Sequence, residues 1–261
     1  METPQTAASI AAMFKAADAR EFAVLERSFA ADTRRTVQNA INAARKRLEA
    51  EALEEQRVRE MLEFQGSLAG GRVLVGLDEV GRGPLAGPLA VGAVVLPQDA
   101  VIAGLNDSKQ LSEKKRSELA EQIKAQALGW SVQYVQPADI DSHGMTACLK
   151  AAFSAAVADI EAQGIMPEVI LLDGNPLRFD PREVNVVKGD AKCASIAAAS
   201  IIAKVERDSL MVRYSAEYPQ YGFESNKGYG SAQHQEAIRQ FGLTPIHRAS
   251  FCRAFTQETL F

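Results

Sequence analysis

The chain has 261 residues, 47% hydrophobic and 24% charged, with a formal net charge of −4. Such a length buries a full core without disulfides or structural metal, and the net acidity argues against a protein that coats polyanions over its whole surface, though not against a nucleic-acid enzyme whose carboxylates bind metal. Three scattered cysteines, Cys148, Cys193 and Cys252, read as free thiols in a reducing compartment, and with neither a membrane-length apolar run nor a secretory signal the expected location is the cytoplasm.

Residues 1–70 are expected to form a helical extension. TVQNAINAARKRLEAEALEEQRVREMLEFQ lacks Gly and Pro. Val37, Ile41, Ala44, Leu48 and Leu53 recur near helical spacing within it. Thr36 is placed to cap this long helix, SLAGG at 67–71 ends it, and one or two short helices precede it. The segment is either a solvated appendage or a duplex-contacting arm using Arg34, Arg35, Arg45, Lys46 and Arg47.

From residue 71 the texture is α/β. RVLVGLDEV and LAVGAVVLP read as strands around the turn GRGPLAGP. SEKKRSELAEQIKAQAL reads as a helix capped by Ser112, WSVQYVQ as a strand, and MTACLKAAFSAAVADIEAQG as a helix. PEVILLDGN and EVNVVKGD are two further strands. A long helix is expected from Ala191, with shorter ones after it. An initial hairpin followed by alternating strands and helices predicts a mixed β-sheet flanked by helices in a domain spanning 71–261.

Three strands lead to acids. Asp78 and Glu79 lie inside an apolar run, Asp173 ends VILLD, and Asp190 ends VNVVKGD. Asp173-Gly174 alone reads as a turn and Asp190 alone as a helix cap, but a carboxylate inside an apolar strand is costly unless compensated. Strand alternation puts Asp78 and Glu79 on opposite faces, which makes Asp78 the better bridging ligand. Hard divalent ions such as Mg²⁺ or Mn²⁺ suit this oxygen-donor set. Two of them about 3.5–4 Å apart can activate water and stabilise a leaving oxygen in phosphodiester cleavage. The histidines at 143, 234 and 247 lack zinc-site spacing.

The run DEVGRGPLAGP at 78–88 resembles type 2 ribonuclease H (ribonuclease HII). The resemblance continues in NDSKQLSEKKR, LLDG, KGDAKCASIAAASIIAKVERD, YPQYGFESNKGYGS and HRASF, in the family's order. It implies a ribonuclease H-like fold, a monomer, and an endonuclease that cuts the RNA strand of RNA/DNA hybrids. It further implies cutting 5′ to single ribonucleotides in duplex DNA, as in ribonucleotide excision repair, leaving 3′-hydroxyl and 5′-phosphate ends.

The family's four acids fall on Asp78, Glu79, Asp173 and Asp190, as both catalytic residues and metal ligands. Its ribose-reading loop falls on Gly81, Arg82 and Gly83, and its sugar-stacking tyrosine on Tyr229. Glycines there let backbone approach a ribose closely, and the 2′-hydroxyl is what separates RNA from DNA. Asn106, Ser108, Lys109 and Lys192 are expected substrate contacts. Lys188, Lys204, Arg207 and Lys227 are further phosphate contacts by position, whereas Cys193 is expected in the core.

The terminal QETLF resembles a bacterial sliding-clamp docking peptide, with Gln257, Leu260 and Phe261 as its contacts. A DNA nuclease without a ribose requirement and a catalytically silent adaptor are the competing readings. The complete set of four acids argues against the adaptor.

Overall fold

The computed structural model describes residues 5–256. The chain divides into two compact units between Val58 and Arg59, inside a helix rather than at its end. Unit one holds helices α1 (Ala7–Ala16), α2 (Ala19–Ser28) and most of α3 (Arg35–Ala69). Thr6 caps α1, and Asp18 with Glu21 forms a reciprocal capping box on α2. Helix α3 begins one residue before Thr36, the expected cap.

This unit has its own core of Ile10, Phe14, Phe22, Val37, Ile41 and Ala44. The Phe14 ring meets Phe22 and Phe29 edge-on at 5.9 and 6.1 Å. The expected apolar stripe does not reach Leu53, which is 70% exposed. Of the basic residues considered for a duplex arm, Arg34 pairs with Asp32, Arg45 with Glu26 and Arg47 with Glu51. Arg35 and Lys46 are exposed.

In the second unit the strands are β1 (Leu74–Val80), β2 (Leu89–Val95), β3 (Gly129–Val135), β4 (Val169–Asp173) and β5 (Glu183–Val186), in the order β3-β2-β1-β4-β5. The first three pair antiparallel as a meander, while β1-β4 and β4-β5 are parallel. Its helices are α4 (Glu113–Gln126), α5 (Pro137–His143), α6 (Met145–Ala162), α7 (Ala194–Glu217), α8 (Phe223–Asn226), α9 (Ala232–Phe241) and α10 (Ala249–Thr256). Ser112 caps α4 as expected, its hydroxyl accepting from Lys115 N–H at 3.3 Å.

One sheet face carries Val75, Leu77, Val91, Ala93, Ile170 and Leu172, packed against Leu149, Phe153, Ala156, Val157 and Ile160 of α6. The other face lies against α7. A Cβ at Gly76 would stand 2.3 Å from the Ser195 carbonyl carbon, and one at Gly92 2.3 Å from the Ala199 oxygen. Everything from Ala194 to Ala203 is buried, so small residues on both surfaces let the helix backbone sit directly on the sheet.

Two expected boundaries move. The strand leading to Asp190 stops at Val186, and Lys188 turns the chain with φ of 57°. Residues 189–191 form a single 3-10 turn, and α7 starts at Ala194 with Cys193 at its N-cap. Asp190 therefore neither ends a strand nor caps the long helix.

Candidate active site

Sheet register places two of the acids side by side. The parallel ladder matches Leu77 with Leu172, so its next rung sets Asp78 beside Asp173 on strands roughly 4.8 Å apart. Gly76, two residues back along β1, faces α7. Strand alternation turns Asp78 to that face and Glu79 to the opposite one.

Asp78 is 7% exposed, and its Oδ1 accepts the Glu79 N–H at 2.8 Å. Asp173 Oδ1 accepts the Gly189 N–H at 2.6 Å. That bond ties the turn carrying Asp190 to the end of β4. Glu79 Oε1 takes Arg82 Nη1 at 3.0 Å, with the Arg82 side chain 61% exposed.

Burial, then the nearby charge of Glu79, then that of Asp173 push the Asp78 carboxyl well above the usual carboxylate range. Burial also raises Glu79, against the pull of Arg82, and Asp173 adds to the rise. Asp190 is raised by burial, then by Asp173 and Asp107, with Lys109 opposing. The charge of Asp173 thus weighs on each of the other three acids. The same influences put the Asn106–Lys109 segment near Asp190.

This donor set suits a hard cation: oxygen ligands only, partly desolvated, and mutually repulsive until positive charge arrives. Among the described residues no three His, Cys, Asp or Glu side chains form a group that could by itself hold a metal ion. Mg²⁺ does not need one, because it keeps several waters and takes one or two carboxylates together with substrate phosphate oxygens.

The glycine loop joins β1 to β2, with Arg82 and Gly83 exposed. The N–H groups of Leu85 and Ala86 both donate to the Gly228 carbonyl, at 2.8 and 3.2 Å. A Cβ at Gly228 would stand 2.2 Å from the Ala86 oxygen, so only glycine permits this approach. The result brings Tyr229, 44% exposed, next to the loop.

Lys109 and Lys192 are exposed and Asn106 is half-buried. Ser108 turns inward at 2% exposure, its hydroxyl 3.0 Å from that of Ser200 on α7. Cys193 is fully buried, as expected of a core residue, and burial pushes its thiol up to about 12.

Arg207 corrects an expectation. A phosphate contact needs solvent access, yet this side chain is fully buried and bonds to backbone carbonyls. The fully buried Arg248 was legible only as part of HRASF, and periodicity assigns it no role.

A buried histidine pair was also missed. His234 Nε2 lies 3.0 Å from His247 Nε2, His234 Nδ1 faces the Tyr229 carbonyl at 2.9 Å, and His247 Nδ1 accepts the Thr244 N–H at 2.9 Å. These partners require Nδ1–H on His234 and Nε2–H on His247, with both rings neutral. Burial lowers the His234 pKa; burial and then His234 bring His247 down to about 4. Unfolded, both rings take up protons near pH 6.5, so the unfolded chain binds more protons below that value. Stability is therefore expected to be full above about pH 6.5 and to fall between there and about pH 4. Denaturant midpoints across that range check this, and the His247→Gln variant should show a shallower decline.

Two family models match the chain: ribonuclease HII over residues 75–254 and the ribonuclease HII N-terminal domain over residues 6–69. A ribonuclease HII from Clostridium acetobutylicum is 44% identical over 228 residues, 85% of this chain and 88% of that one. Among solved structures, the ribonuclease H2 from Pyrococcus horikoshii OT3 matches with a TM-score of 0.60 and 30% identity, covering 70% of this chain and 96% of its own. The PCNA:RNase HII complex from Archaeoglobus fulgidus matches with a TM-score of 0.60 and 27% identity, covering 72% and 98%.

Proposed function

The chain belongs to the ribonuclease HII family, and on that premise we propose that it is a metal-dependent endoribonuclease. It hydrolyses the RNA strand of RNA/DNA hybrids and cuts 5′ to single ribonucleotides embedded in duplex DNA. The observation that carries this reading is the β1–β4 register, matched as far as Leu77–Leu172 and so leading to Asp78 and Asp173, with the Asp190 turn tied to Asp173 through Gly189, together with the glycine loop that continues from β1.

Asp78, Glu79, Asp173 and Asp190 would together hold two Mg²⁺ or Mn²⁺ ions, Asp78 being the most central of the four. When bound, the ions activate the attacking water and stabilise the leaving 3′-oxygen. The chain's own groups do the rest. Gly81, Arg82 and Gly83 present backbone to the 2′-hydroxyl. Tyr229 offers a ring for the neighbouring sugar, and Asn106 with the exposed Lys109 and Lys192 serves as a contact to backbone phosphates. Ser108 serves from inside, bracing the Asn106–Lys109 segment against α7.

The test is a cleavage assay with Mg²⁺ and with chelator on two duplexes, one carrying a single ribonucleotide and the other all DNA. Metal-dependent cutting of the first alone supports the reading. Equal cutting of both would make the protein a DNA nuclease with no ribose requirement. Absence of cutting under every condition would leave the adaptor reading.

Gln257, Leu260 and Phe261 lie outside the described residues. The resemblance of QETLF to a clamp-docking peptide is supported by the complex with PCNA in which the Archaeoglobus fulgidus relative was solved. Deleting residues 257–261 is expected to abolish binding to a bacterial sliding clamp, measured by surface plasmon resonance, while cleavage rates stay unchanged. Unchanged clamp affinity would reject the docking role.

A further inference from the structure

The glycine loop is held from beneath by two arginines, Arg207 from α7 and Arg248 just ahead of α10, both fully buried. Their seven hydrogen bonds all go to backbone carbonyls. Arg207 donates from Nε to Pro88 at 2.9 Å, from Nη1 to Lys227 at 2.9 Å and from Nη2 to Ala86 at 3.2 Å. Arg248 donates from Nε to Gly87 at 3.1 Å, from Nη1 to Arg82 at 2.9 Å, and from Nη2 to Gly81 at 2.7 Å and Gly87 at 2.8 Å. Asp208, the acid next to Arg207, pairs with Lys204 instead at 2.9 Å.

Burying two guanidinium groups is costly unless their donors are well satisfied. Here the loop carbonyls satisfy them, and in doing so lose their freedom to turn. The carbonyls of Gly81, Arg82, Ala86, Gly87 and Pro88 are all drawn inward. The N–H groups of Arg82 and Gly83 donate no hydrogen bond among the described residues, and both residues are exposed. Arg207 also reaches the second sugar-facing element: it holds the Lys227 carbonyl, and its guanidinium lies 5.9 Å from the centre of the Tyr229 ring. The fit is tight, since a Cβ at Gly81 would stand 2.3 Å from Arg207 Nε.

We propose that Arg207 and Arg248 are positioning residues for sugar discrimination, locking the Gly81–Pro88 loop and Tyr229 into one rigid ribose-reading surface. The inference rests on the ribose-reading function proposed above. Lysine keeps the charge at either position but lacks the planar fork that spans several carbonyls. A loop freed to shift by about 1 Å loses much of its rate advantage.

The experiment compares the full-length wild type with R207K and R248K under single-turnover conditions, with enzyme in excess. Each acts on a duplex with one ribonucleotide and on the same duplex with deoxyribose at that position. A merely structural defect lowers the native fraction and slows both substrates by one common factor. The positioning role instead predicts that the ribose-to-deoxyribose rate ratio falls about tenfold to a hundredfold in each variant, with native far-UV signal retained. An unchanged ratio in the folded variants would overturn the proposal. So would failure of both variants to fold, which would make the arginines requirements of the fold rather than of the loop's shape. A wild type that cuts both duplexes alike would defeat the ribose reading itself, an outcome separable from the other two.

Discussion

Replacing Asp78 by asparagine is expected to lower turnover on a ribonucleotide-containing duplex by about a hundred- to a thousandfold and to raise the melting temperature of the metal-free protein. The two effects share a cause. The carboxylate is buried beside Asp173 and next to Glu79 in sequence, with its proton affinity raised first by burial and then by those charges. The ionised carboxylate therefore costs more in the folded protein than in the unfolded chain, where water solvates it.

The sign follows from linkage. A carboxyl raised on folding binds more protons in the folded than in the unfolded state, so its contribution falls as pH rises from about 3.9 toward the raised value. Asparagine keeps the shape and removes the charge, so the wild type's deficit relative to the variant should shrink as the solution is acidified. Adding Mg²⁺ should then stabilise the wild type more than the variant if Asp78 is a metal ligand as proposed. Single-turnover kinetics and thermal melts in chelator and in Mg²⁺ read all three effects. Near-wild-type turnover would show that Asp78 is not at the reacting centre.

Gly76→Ala is expected to have the largest effect on stability. The added Cβ would lie 2.3 Å from the Ser195 carbonyl carbon and 2.5 Å from the Ile196 nitrogen. Both are backbone atoms of a helix whose next seven residues are buried as well, so no flexible side chain can yield. Overpacking of this kind costs about 1–3 kcal/mol and sometimes more, and each kcal/mol is about 2–4 °C in a protein of this size. Asp78 is two residues further along the same strand face, so prising β1 from α7 should also displace the carboxylate and lower turnover. Gly92→Ala, which meets the Ala199 oxygen at the same 2.3 Å, should destabilise comparably while sitting on the neighbouring strand. A Gly76→Ala protein that melts like the wild type would show that the sheet–helix approach is looser than described.

Much of the catalytic unit is legible in sequence because its signals are local. VLVGLDEV and LAVGAVV are dense in β-branched residues and flank a Gly/Pro turn, and they form the antiparallel pair expected of them. The opposite-face reading of Asp78 and Glu79 follows from strand alternation alone, which the sheet shows as far as Gly76 against α7 and Leu77 in the core on the α6 side. The run of small residues after Cys193 reads as a helix that lies close to a sheet, and the two glycines opposite it explain why. Helix α5 was not anticipated, since PADIDSH has too few apolar residues to show a period.

What stays hidden is set by contacts distant in the chain. Arg207 reads as a phosphate contact along a helix until Pro88 and Ala86, about 120 residues earlier, supply its acceptors. Ser108 sits in a polar motif that points to substrate, yet its hydroxyl meets Ser200 across 92 residues. Asp190 looks like a strand end or a helix cap because the 3-10 turn at 189–191 depends on Lys188 adopting φ of 57° and on Asp173 catching the Gly189 N–H. The local pattern carries no trace of either.

The most direct test of the central claim is anomalous scattering from Mn²⁺ in crystals of the protein bound to a duplex with one ribonucleotide and a non-hydrolysable linkage on its 5′ side. A manganese peak is expected between Asp78 and Asp173, a second on Asp78 and Asp190, and the 2′-hydroxyl against the backbone of Gly81–Gly83. Manganese bound away from Asp78, or a ribose seated away from that loop, would contradict the claim.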